Sequence, residues 1–321
     1  HARIDVLRDL VREGQGAVAE RRLVALRDGP EAADAPWACY RIETNIAAAL
    51  MDRGREAEAA EAYGRAHLLR PDDPDALANL SIARTIQGRP DEGMEIARAV
   101  LARPDRTEFA VSAMLQAASR SEWQGNPETL VPEGLRGTRS AELAIADFLR
   151  KRWLPGWETR VLALEDGESA FDDVARPKAL AILSIAVDSR VHVVGGRDTV
   201  SDLQVDEAAT HMLAYAQHCL DVAYADRHDL MAHVSNAALL LRIANRRDEA
   251  EALLRDGLRA MPGEDQLMRL LAMTLIDRGR RDEAVEVLEP GSDPETLLMK
   301  VQFSRTGTPA ERLAALQAMK D

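Results

Sequence analysis

An eight-residue phrase occurs four times in this chain, and its spacing constrains the fold more than any other feature. Residues 51–58 read MDRGREAE, 86–93 IQGRPDEG, 243–250 IANRRDEA and 276–283 IDRGRRDE. Gly54 to Gly88 is 34 residues, and so is Asn245 to Gly279. A fixed period of this size means one small structural unit stacked on copies of itself. Each copy ends a run with helical apolar periodicity. The glycine or asparagine tolerates the left-handed conformation that closes a helix. A polar residue is then expected to cap the next helix, with Glu in its first turn facing the positive end of the dipole. The small residue that ends or follows the phrase (Gly93 and Ala250, or Ala59 and Ala284) lets two helix backbones approach. The phrase is the turn between two helices.

Other positions keep the same register. With the turn residue counted as position 15, small residues stand at position 8 (Ala47, Ala238, Ala272) and position 20 (Ala59, Ala250, Ala284). Position 24 holds Tyr63, Leu254 and Leu288, position 27 Ala66 and Gly257, and position 32 Pro71 and Pro262. The copy around Gly88 reaches its proline, Pro104, one residue early. On these residues the chain resembles the tetratricopeptide repeat family. The resemblance implies an all-α fold, a right-handed superhelix of antiparallel helix pairs with a degenerate central segment.

The pattern is not uniform along the chain. Residues 1–30 read as a divergent helix pair, 37–104 as two good repeats, and 108–118 as the first helix of a third. Residues 119–140 lose the helical period and carry Gly125, Pro127, Pro132 and Gly134. Helices are expected at 141–153, 177–189 and 205–225, with a loop or brief hairpin over 190–202. Good repeats resume near 229, and a shortened pair runs from Pro294 to Met319. The expected division is N-terminal repeats over 1–118, an irregular middle over 119–228, and C-terminal repeats over 229–321, all in one solenoid.

Composition narrows the function. The net charge is −13 and no basic block is long enough to track phosphates, which disfavours nucleic acid as a partner. Only 4% of residues are aromatic, in keeping with closely packed Ala- and Leu-rich helix pairs. Cys39 and Cys219 lie far apart within helical runs, pointing to a reducing, cytoplasmic setting rather than a disulfide framework. No apolar run approaches the roughly 18 residues of a membrane span. The chain starts at His1, so it is expected to be a piece of a longer protein, with an upstream signal or domain left open.

The polar residues worth testing are asparagines. Asn45, Asn79 and Asn236 occupy position 6 of the first helix of their repeats, and Asn45 and Asn79 are one repeat apart. The resemblance implies that this position faces a concave groove, where an amide donates to and accepts from a peptide backbone. Leu270 breaks the ladder in the last repeat. Arg41, Thr44, Asn45 and Ala48, then Asp75, Ala78, Asn79 and Ile82, would line the groove. Thr44 and Ala48 stand where the carboxylate clamp of co-chaperone repeats has Lys and Asn, which argues against a chaperone-tail receptor.

The remaining candidates are weaker. His211, His218 and Cys219 share one helix without a second ligand pair, so packing outweighs metal binding. VVGGRDT at 193–199 lacks the GK[ST] of a phosphate loop. In FLRKRWLPGW at 148–157 the basic residues are expected to cap a helix, and Trp153 and Trp157 to fill an irregular core. No cofactor, metal or catalytic constellation is expected.

Two readings of function result. The first is a protein-interaction scaffold, not an enzyme, that takes a peptide or protein partner in a concave groove; self-association through the 294–319 end helices is a subsidiary expectation. The second comes from the resemblance: bacterial signalling and defence enzymes join a catalytic module to repeats of this kind, and the chain would be the sensory or regulatory part of one.

Overall fold

The computed structural model describes residues 2–12, 15–29, 36–165, 174–191, 200–304 and 310. Among them every regular element is helical. The chain forms two compact units, His1–Ala181 and Ile182–Asp321. The first contains α1 (Ala2–Arg12), α2 (Gly16–Arg27), α3 (Pro36–Asp52), α4 (Glu56–Leu69), α5 (Pro74–Ile86), α6 (Pro90–Leu101), α7 (Phe109–Arg120), α8 (Arg139–Lys151) and α9 (Trp157–Leu162). The boundary falls within α10 (Ala175–Val191). The second unit continues with α11 (Asp202–Asp221), α12 (Arg227–Ile243), α13 (Arg247–Ala260), α14 (Asp265–Asp277), α15 (Arg281–Leu288) and α16 (Pro294–Phe303).

All four phrase turns close in one way. Gly54, Gly88, Asn245 and Gly279 have φ of 66°, 78°, 63° and 75°. The N–H of the next residue, an arginine each time, reaches back five residues: Arg55 to Leu50 O, Arg89 to Arg84 O, Arg246 to Leu241 O and Arg280 to Leu275 O, at 2.8–2.9 Å. These are helix ends in which a left-handed residue lets orphan carbonyls find donors. The small residues expected to sit at the crossings are buried, from Ala47, Ala59 and Ala66 to Ala238, Ala250, Ala272 and Ala284. At Gly93 a Cβ would lie 2.5 Å from Thr85 Oγ1 and 2.9 Å from Ser81 O, so only glycine allows α6 this close to α5.

The expected polar cap is missing after these turns. Arg55, Arg89, Arg246 and Arg280 occupy the cap position and none makes a side-chain cap bond, because a guanidinium has no acceptor. Each instead pairs with a glutamate three residues on: Glu58, Glu92, Glu249 and Glu283. Three of them also reach an earlier helix. Arg55 bonds Glu20 of α2 at 2.8 and 3.0 Å, joined by Arg53 at 2.6 Å. Arg280 bonds Glu251 of α13 at 2.9 and 2.7 Å, joined by Arg278 at 2.9 Å. Arg246 donates to Thr210 of α11 at 2.6 Å. The near-identity of MDRGREAE and IDRGRRDE thus has a second cause: two arginines flanking the glycine clamp one carboxylate of a preceding helix.

The irregular stretch holds two 3-10 turns, Pro127–Leu130 and Glu133–Leu135, before α8. Trp123 packs edge-on against Phe148 at 5.7 Å, and Arg160 ties α9 to Glu142 at 2.6 Å and to Glu128. Trp153 departs from expectation: it does not fill a core but stands 95% exposed, in a left-handed conformation of φ 55°. The 193–199 glycines and most of the segment after Phe303 lie outside the described residues.

Candidate functional site

The side chains expected to line a groove fall on two helices of the first unit. Arg41, Thr44, Asn45 and Ala48 share one face of α3, and Asp75, Ala78, Asn79 and Ile82 the corresponding face of α5, because i, i+3, i+4 and i+7 lie along one stripe. Asp73 caps α5 by accepting from the N–H groups of Asp75 and Ala76 at 3.0 and 3.1 Å. Tyr40 donates its hydroxyl to Asp73 at 3.3 Å, which ties α3 to the start of α5. Burial, with Asp73 and Asp75 adding to it, pushes the Tyr40 phenol up to about 12.

Several donors on the α3 face are already engaged. Arg41 is ion-paired with Asp5 of α1 and lies 4.9 Å over the Trp37 ring. Its hydrogen bond holds the Asp5 carboxyl below the usual range. Thr44 donates to Tyr40 O at 3.0 Å, and the Asn45 amide nitrogen to Arg41 O at 2.7 Å, each one turn back along α3. That leaves the Asn45 carbonyl oxygen and its second N–H for a ligand.

The α5 face is different. Ala78 and Ile82 are buried, and Asp75 is exposed. Asn79 is only 4% exposed, and among the described residues no hydrogen bond reaches its side chain. Its amide nitrogen and oxygen keep a little solvent contact, which leaves them within reach of a ligand. Asn236 belongs to the second unit, half-buried on α12.

The same stripe continues onto α7, where no turn phrase marks it. A further 34-residue step from Asp75 lands on Phe109, and from Ile82 on Gln116. Phe109 is exposed despite its size. The period alone could have found it, because the stripe outlasts the turn phrase.

The other sequence candidates do not form a site. His211, His218 and Cys219 lie on α11, with Cys219 fully buried. The Tyr215 and Tyr224 rings pack on His233 of α12 at 5.0 and 5.5 Å. Among the described residues no three His, Cys, Asp or Glu side chains are placed to hold a metal. Arg150 and Lys151 both pair with Asp147, at 2.7 and 2.6 Å, and Arg152 binds the carbonyls of Ser121 and Trp123. The basic run is therefore spent within the fold. No described helix is long and apolar enough to cross a membrane.

Residues 241–295, from the end of α12 to the start of α16, match the tetratricopeptide repeat family model, and the chain carries repeats of this type. Similar solved structures include the APC/C hetero-tetramer Cut9–Hcn1, at 12% identity over 96% of this chain and 60% of that one, TM-score 0.43. The human IFIT1 dimer with m7Gppp-AAAA is 14% identical over 96% of this chain and 74% of its own, TM-score 0.40. Yeast Tom70 is 12% identical over 98% and 82%, TM-score 0.30. The chain thus spans under two thirds of the first of these. No curated protein matches it in sequence.

Proposed function

We propose that the stripe on α3, α5 and α7 binds an extended peptide segment of a protein partner. A tetratricopeptide fold supports an interaction scaffold as the general class. The observation that carries the finer reading is the unbonded, narrowly accessible Asn79 amide: it offers its NH2 donors and its carbonyl acceptor to a peptide unit, with the Asn45 carbonyl and second N–H one repeat away. Exposed Asp75 favours a basic side chain on the peptide, and exposed Phe109 an apolar one. Binding needs little ordering of the protein, because Asp73, Tyr40 and the back-bonded Thr44 and Asn45 already fix the stripe. The reading assigns no catalytic chemistry to the chain.

The test is a pull-down from an immobilised library of nonapeptides, run with the wild-type chain and with Asn79→Ala. Retention of peptides pairing a basic with an apolar residue, weakened about tenfold by Asn79→Ala, is expected; tenfold corresponds to about 1.4 kcal/mol. The reading fails if nothing is retained, or if Asn79→Ala retains the same peptides as strongly.

A further inference from the structure

A second surface of the first unit is built for a different ligand. Between α1 and α2 lies a cleft of about 590 Å³, lined by Arg3, Val6 and Leu7 on one wall and Arg22, Ala25 and Leu26 on the other. Val6 is 59% exposed although it is apolar, and Leu7 forms the buried floor. Both walls are helices whose backbone groups bond within their own helix, so an extended strand would leave its N–H and C=O groups unpaired against an apolar floor. A third helix brings its own bonds satisfied and packs as a ridge between the two rows.

The charge of this surface opposes that of the whole chain. Arg22 is exposed and, among the described residues, meets no carboxylate; Arg21, beside it on α2, is the same. Among the described residues, the acids of α1 and α2 are already paired. Asp5 pairs with Arg41 and Arg8, Asp9 with Arg8 at 3.1 Å, and Glu20 with Arg53 and Arg55. In a chain of net charge −13, Arg21 and Arg22 therefore give this apolar cleft a cationic edge.

We infer that the α1–α2 cleft docks an amphipathic helix of a partner protein, one with acidic residues flanking its apolar face. Apolar burial supplies the affinity, and the arginines select the sign of the flanks and quicken the encounter. The surface is separate from the Asn45 and Asn79 stripe, so either proposal stands without the other.

The probe is a synthetic helical peptide with leucines at i, i+3, i+4 and i+7 and glutamates on the flanks, beside a counterpart with lysine flanks. Fluorescence anisotropy should show the acidic peptide binding at least tenfold more tightly than the lysine one, and more weakly as salt rises. Arg22→Glu and Val6→Glu should each weaken it about tenfold, with unchanged circular dichroism; both positions are exposed, so folding should survive. Equal binding of the two peptides, or wild-type binding by both variants, overturns the inference. Sedimentation of the chain alone adds one outcome: self-association abolished by Val6→Glu would make the occupant a second copy and overturn it too.

Discussion

At Gly279 and at Trp153 a helix ends with the same bonds. Gly279 N–H donates to Ile276 O and Arg280 N–H to Leu275 O, both at 2.9 Å; Trp153 N–H donates to Arg150 O at 3.1 Å and Leu154 N–H to Leu149 O at 2.8 Å. Both turn residues have positive φ. The two turns differ in what the chain does next. Arg280 bridges Glu251 on α13, one helix further back than the one the turn closes, and Glu283 on the helix after, so the turn fastens one helix pair to another. Leu154 makes no such bridge; the arginine lies before the turn, at Arg152, and holds the carbonyls of Ser121 and Trp123. The next helix there is Trp157–Leu162, 6 residues, against the 8 of α15 after Gly279. A left-handed turn ends a helix; the arginine after it makes the turn a junction.

Removing the clamped carboxylate should do most to break this comparison. Glu251 is 10% exposed at its side chain and accepts from Arg255, Arg278 and Arg280. Glu251→Ala leaves several guanidinium groups without their acceptor, and a loss of about 2–3 kcal/mol is expected in urea unfolding, tempered because the arginines can rehydrate. Burial raises the Glu251 pKa, but bonds from Arg255 and Arg280 outweigh it, and the net shift is downward. A depressed pKa contributes stability above the ordinary carboxylate range that fades as pH falls through the folded value. The wild type should therefore lose stability between about pH 5 and pH 3, and Glu251→Gln should lose less. Equal slopes for the two would show that the clamp is not what titrates.

The turn residues give the next two tests. Gly279→Ala forces a Cβ into the left-handed region and should cost about 1–2 kcal/mol. Trp153→Gly reverses that change in the irregular stretch, where the ring is exposed, and should stabilise by about 1 kcal/mol, read as a shift of the unfolding midpoint. A loss at Trp153→Gly would mean that the ring contributes to the fold after all.

How much of this can be read from the sequence depends on the same residues. The turn phrase, the 34-residue step and the buried small residues are legible because each depends on local geometry repeated in register. The clamps are not. Arg53 stands 33 residues after Glu20 but Arg278 only 27 after Glu251, so no fixed spacing marks the pair. Trp153 misleads because an aromatic beside a helix end usually packs inward, whereas the left-handed turn sends this one out. On the candidate stripe the shared helix face is legible and the pairing of its side chains is not: Asp5, which engages Arg41, lies on a divergent helix outside the phrase.

The smallest effect belongs to the turn at Gly88, and it separates the two bonds each of these arginines makes. Arg89 keeps the glutamate three residues on, Glu92, at 2.7 Å, with both side chains about half exposed. It has no carboxylate on the preceding helix, for Ala60 stands in α4 where Glu251 stands in α13. An exposed pair of this kind is worth a few tenths of a kcal/mol, so Glu92→Ala should move the urea midpoint barely beyond error. If it instead matches Glu251→Ala, the local pair and not the reach to the earlier helix fastens the junction. The difference between phrase turns and the Trp153 turn would then rest on the helix start alone.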